Sequence, residues 1–115
     1  MFEISEGLYA FLTAQTVFTN VMGTKLSPIV ALPETSFPFA TYKIEEQSAN
    51  SFDGNAGTVQ LYFWYGPKEY KKCAQFTDAM KTVIDDKENY QWQSSSVDFI
   101  EDNQSFVGII NFTTN

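Results

Sequence analysis

The clearest pattern in the chain runs from Thr58 to Tyr65, where Val59, Leu61, Phe63 and Tyr65 alternate with Gln60, Tyr62 and Trp64. Period-two alternation rich in β-branched and aromatic residues predicts a strand with one face on a core. Phe39 to Gln47 repeats the pattern, with Ala40, Tyr42 and Ile44 on one face and Thr41, Lys43 and Glu45 on the other. The polar stretch from Ser48 to Gly57, with Asp53-Gly54 as a turn signal, joins the two as a long hairpin. A second hairpin closes the sequence. Val97, Phe99 and Glu101 alternate with Asp98 and Ile100, Asp102-Asn103 marks the turn, and Phe106 to Phe112 returns.

Two segments carry helical spacing instead. Residues 5 to about 19 place Leu8, Phe11, Leu12 and Ala14 or Gln15 on one face, with Ser5 as the N-cap and Asn20 and Gly23 at the exit. The second helix is expected from Gly66-Pro67, since proline suits a first turn. Its apolar stripe reads Tyr70, Cys73, Ala74, Thr77, Met80, Val83 and Ile84, and Lys68, Lys71, Lys72, Asp78 and Asp85 face water. Lys25 to Ala31 is a short strand that Pro28 confines to an edge, and Leu32 to Pro38 is a loop. Asp86 to Gln91 is a charged connection, and Ser94 to Ser96 starts an edge strand. The expected fold is one α+β domain over residues 1–115, in the order α-β-β-β-α-β-β. It has a mainly antiparallel sheet of four to five strands and two helices packed on one face.

Composition narrows the function. Of 115 residues, 11 are Phe, 6 Tyr and 2 Trp, more aromatic than a disordered chain. The net charge of −7 keeps the protein soluble and disfavours sequence-independent binding to nucleic acid. No apolar run approaches the roughly 20 residues of a membrane span. Glu3 and Glu6 near the start, with no basic cluster, do not make a signal peptide, so the glycosylation matches at Asn103 and Asn111 carry no meaning.

The chain has no histidine and one cysteine, which removes the commonest general base, disulfides within the chain and clustered-thiolate zinc sites. Cys73 sits on an apolar helical stripe and reads as core. The acidic pairs Glu45-Glu46, Asp85-Asp86 and Glu101-Asp102 do not converge as an acid–base dyad would require. Asp53-Gly54-Asn55 is half a calcium loop without the remaining ligands, and phosphate-loop and nucleophile-elbow patterns are missing. The sequence therefore points to a binding or assembly protein with no cofactor and no metal, not to an enzyme.

Phe52, Tyr62 and Trp64 stand out. Two readings are open: cover within the monomer by a helix or the returning hairpin, or a subunit interface, where Tyr and Trp are enriched.

Four stretches together resemble a known family. They are the N-terminal amphipathic segment LYAFLTAQTVFTNVMG, the Phe37-Pro38-Phe39-Ala40-Thr41-Tyr42 strand start, VQLYFWYG running into PKEYKKCAQFTDAM, and the terminal hairpin VDFIEDNQSFVGIINFTT. Across nearly the whole chain they are similar to the tail-completion (tail-terminator, tail-to-head joining) proteins of long-tailed bacteriophages and prophages. The aromatic run YFWY and the strong negative charge depart from the family's usual residues.

The resemblance implies a structural virion protein, made in the bacterial cytoplasm and carried on the tail. It would form a ring, typically a hexamer, that caps the head-proximal end of the tail tube. Its partners would be other copies of itself, the tail-tube protein and the head–tail connector protein, and DNA would pass through the lumen without specific binding. The residues expected at the subunit interface are Phe52, Asp53, Tyr62 and Trp64. A small acidic monomeric binding or inhibitor module is the alternative that the composition leaves open.

Overall fold

The structure, a computed structural model, describes residues 2–23, 25–28, 37–46, 57–88, 90–102 and 104–114. The elements are α1 (Phe2–Thr13), α2 (Thr16–Met22), β1 (Leu26–Pro28), β2 (Phe39–Glu46), β3 (Gly57–Tyr65), α3 (Tyr70–Asp86), β4 (Tyr90–Ile100) and β5 (Ser105–Thr114). The strands form one five-stranded sheet in the order β1-β2-β3-β5-β4. The α+β class holds, with a mixed sheet: β1 runs parallel to β2, and the other neighbours are antiparallel.

The sheet's two faces differ completely. In β3 every second residue is buried, from Gly57 to Tyr65. Directly opposed residues share a face, so Ala40, Phe63 and Gly108 form one row, and Tyr42, Leu61 and Ile110 the next. Leu8 and Leu12 of α1, Phe18 and Met22 of α2, and Cys73, Phe76, Met80 and Ile84 of α3 close over these rows as one core. Each fully buried Leu or Phe contributes about 1.5–3 kcal/mol relative to exposure.

Several expectations are corrected. The first helix is two, because Gln15 adopts an extended conformation (φ −93°, ψ 119°). Leu8 and Leu12 are one helical turn apart, and so are Phe18 and Met22, but the six-residue step from Leu12 to Phe18 would rotate the second pair off the first pair's face. The break re-aims it. Thr13 Oγ1 donates to Tyr9 O at 2.7 Å just before the break, a back-bond that bends helices. Ser5 is not a cap, since α1 already begins at Phe2. Its hydroxyl instead hydrogen-bonds the Tyr42 hydroxyl, tying α1 to β2.

α3 starts at Tyr70, not at Gly66-Pro67, because a turn with Glu69 N–H donating to Gly66 O (3.2 Å) comes first. Its buried stripe includes Phe76, 6% exposed, which the expected stripe omits, whereas Tyr70 is 56% exposed. β4 begins at Tyr90, inside the stretch expected to be a connection, and takes in Ser94–Ser96 as its middle. A bulge between Trp92 and Ser94 leaves Gln93 without a partner in β5. Glu101 lies in the turn, where Gln104 N–H donates to Glu101 O at 3.3 Å and Gln104 has a φ of 48°.

Candidate functional site

The residues between the buried positions of each strand point to the sheet's second face. Thr41 pairs with Tyr62, Tyr62 with Ile109 and Ile109 with Ser96, which makes one row. Phe39, Trp64, Val107 and Asp98 make the row beside it. Lys43, Gln60, Asn111 and Ser94 make the third. One end of this face is thus aromatic and aliphatic, and the other is polar.

The aromatic end is ordered as a ladder. Phe37 stacks on Phe39 (centroids 5.5 Å apart, 16° between planes), Phe39 on Trp64 (6.2 Å, 21°), and Trp64 on Tyr62 (6.4 Å, 29°). Offset stacking at these spacings adds to the area that each ring buries. Two polar contacts fix the ring planes. Trp64 Nε1–H donates to Thr41 Oγ1 at 3.0 Å, and Tyr62 O–H donates to Gln60 Oε1 at 2.9 Å. Thr41 is only 2% exposed beneath the rings, so its hydroxyl is satisfied by the tryptophan above it. Val107 is buried beside Trp64, while Phe39, Tyr62, Trp64 and Ile109 stay half-buried and Phe37 is exposed.

Among the described residues, no helix lies on this face: all three helices contribute to the core on the other side. The returning β4–β5 hairpin extends the sheet edgewise and does not fold over the rings. Tyr62 and Trp64 lie side by side on this face, joined by Phe37 and Phe39. Phe52 and Asp53, the other two expected interface residues, lie outside the described residues. Phe37 and Phe39 escaped the sequence reading because Phe37 fell in a loop and Phe39 at a strand end. The aromatics flanking Pro38, directly before a strand whose partner carries Trp64, were the available signal.

The polar end is quieter. Asn111 Nδ2–H donates to Ser94 Oγ at 3.0 Å, while Asn111 Oδ1 is buried without a partner among the described residues. The acidic pairs are dispersed. Glu45 lies 3.6 Å from Lys43 Nζ on the exposed surface, Asp85 and Asp86 sit on the last turn of α3, and Glu101 and Asp102 lie in the exposed hairpin turn. Among the described residues, no three metal-ligating side chains gather, and no helix is long and apolar enough to cross a membrane.

Cys73 is core, as expected. Burial pushes its thiol up to about 11, against a smaller opposing effect from the Thr77 hydroxyl, so at neutral pH it is protonated and a poor nucleophile. Burial, with Cys73 and Glu69 nearby, likewise raises the Tyr65 phenol well above its ordinary value.

The chain matches no protein-family model, and no curated protein shows significant similarity to it.

Proposed function

We propose that this chain is a structural assembly protein of the tail-completion kind: a ring of about six copies, closed by heterologous contacts, that caps a phage tail tube at its head-proximal end. The observation that carries the reading is the aromatic ladder on a sheet face that no described helix covers. A patch of Phe37, Phe39, Tyr62 and Trp64, aligned and pinned by hydrogen bonds, is the kind of surface that protein contacts are built on. The pinning matters, because side chains already held in place lose less entropy on binding. The eleven-residue strand β4 adds a second surface: it is the sheet's outer strand, and among the described residues no strand pairs with its far side. The tail-tube and head-connector partners rest on the four stretches of family resemblance. Those stretches correspond to α1–α2, the start of β2, β3 with α3, and the β4–β5 hairpin.

Light scattering from low micromolar to near-millimolar concentration, with negative-stain images of the heaviest fraction, tests the reading. The expected result is a mass rising toward about six subunits with rings in the images, a closed cyclic assembly. Trp64→Ala should weaken that association by on the order of tenfold or more while the chain stays folded. Absence of rings at every concentration, together with an inert Trp64→Ala, would move the assignment to the monomeric acidic binding module.

A further inference from the structure

The outward face of α3 has a charge order that runs against the helix itself. Lys71, Lys72, Gln75, Asp78, Ala79, Thr82, Asp85 and Asp86 are all exposed and recur at steps of three and four, so they form one stripe. Its cations stand at the N-terminal end and its anions at the C-terminal end. A helix dipole favours the reverse, with acids at the start and bases at the end. α3 has no acidic residue in its first turn and no basic one in its last. Lys72 lies 3.3 Å from the carboxylate of Glu69, the N-cap residue. Among the described residues, Lys71, Asp85 and Asp86 form no ion pair.

The stripe is complementary to its own reversed copy. Laid antiparallel with a two-fold axis between Asp78 and Ala79, residues on the same flank of the stripe meet: Lys72 faces the partner's Asp86, Lys71 the partner's Asp85, and Asp78 and Ala79 each their own symmetry mate. The centre is small, at Ala79.

The flanks suit the same contact. On one side Asp78, Thr82 and Asp85 line a depression of about 360 Å³ together with Lys81, whose Nζ lies 4.3 Å from the Trp92 ring centroid. On the other, Val17, Val21, Phe76 and Ala79 line a groove of about 520 Å³ between α2 and α3, rimmed by Lys72 and Gln75. Val17 and Val21 are both exposed there, and a second copy would take that apolar area out of water.

We infer that α3 is the seat of a two-fold contact between copies of this chain, with the two helices antiparallel. The contact lies on the layer opposite the aromatic ladder, so it goes beyond the ring reading and does not compete for that surface.

Cross-linking of an Ala79→Cys variant tests it, since residue 79 meets its symmetry mate beside the axis. The native Cys73 is buried with a protonated thiol, so it does not contribute. Mild oxidation at low salt should give a covalent dimer, much faster than the same treatment of Ala10→Cys, an exposed site on α1. Adding Lys71→Glu and Lys72→Glu should slow the reaction by on the order of tenfold, as like charges then face each other. The fourfold exchange Lys71→Asp, Lys72→Asp, Asp85→Lys, Asp86→Lys should restore it. Ala79→Cys linking no faster than Ala10→Cys, or indifferent to the charge reversal, overturns the contact. Combining Ala79→Cys with Trp64→Ala separates the two proposals. An unchanged dimer yield supports an α3 contact of its own, and a lost one assigns the cross-link to the sheet-face assembly and overturns it.

Discussion

Gly108 shows how tightly single residues are fixed. It faces α3 from the centre of the sheet, and a Cβ placed there would stand 1.9 Å from Thr77 Oγ1 and 3.4 Å from Cys73 Sγ. The Thr77 hydroxyl is itself engaged, donating to Cys73 O at 2.8 Å, so it cannot turn away without losing that bond. Gly108→Ala is therefore expected to destabilise the fold by about 1–3 kcal/mol through overpacking. Thr77→Ala in the same chain should recover part of the loss, and chemical denaturation of the four members of the double-mutant cycle measures the coupling. The sequence shows Gly108 as one glycine inside a strand pattern. The close approach that requires it exists only once α3 has docked.

Among the elements, β3 was the most legible and β4 the least. β3 lies in the interior of the sheet with one face on the core, so its period of two is written in side-chain type. β4 is an outer strand: Tyr90-Gln91-Trp92-Gln93 alternates for only four residues, with Tyr90 and Trp92 packed on the core, before the bulge and the exposed Ser94, Ser95 and Ser96 break the pattern. The break between α1 and α2 was hidden for another reason. Each half keeps its own four-residue step, and only the six-residue offset between Leu12 and Phe18 reveals the change of direction. On the functional face, Tyr62 and Trp64 were visible as large residues at solvent-side positions of β3, whereas Phe37 and Phe39 gain meaning only from the register that sets Phe39 opposite Trp64. That asymmetry within β3 is testable. Phe63→Ala, which empties a core position, should cost about 3–5 kcal/mol in a denaturant titration. Its neighbour Trp64→Ala should cost the isolated chain far less and show its main effect in association. Equal losses for the two would mean that the ladder serves the fold rather than a partner.

Taken whole, the molecule is a two-layer domain whose helical layer shelters its weakly acidic groups. Cys73 sits at about 11 and the Tyr65 and Tyr90 phenols are also raised, each chiefly by burial. A raised folded-state value means that the folded chain holds its proton when the unfolded chain has released it. The stabilisation is complete below the unfolded thiol's value near 9 and is lost as pH climbs toward 11. Denaturation midpoints should hardly vary on account of these groups up to pH 8. Above pH 9 stability should fall by up to about 1.4 kcal/mol per pH unit for the thiol, with the phenols adding to the fall above pH 10. Cys73→Ala should flatten the first part of that decline, and an unchanged slope would place its origin elsewhere.

The position of β5 also governs how the protein can be made. This strand, completed at Thr114, is inserted between β3 and β4, and its pairing reaches back to Gly57. Before it arrives, β3 has one neighbour and β4 has none. A nascent chain emerging from the ribosome therefore carries β3, complete at Tyr65, and the rings of Tyr62 and Trp64 with an unprotected flank until β5 (Ser105–Thr114) has emerged. The sheet is sealed only after β5 has been made. The burden of preventing premature association between neighbouring nascent chains falls on that interval, and the excess of negative charge already present in the emerged segments supplies mutual repulsion during it.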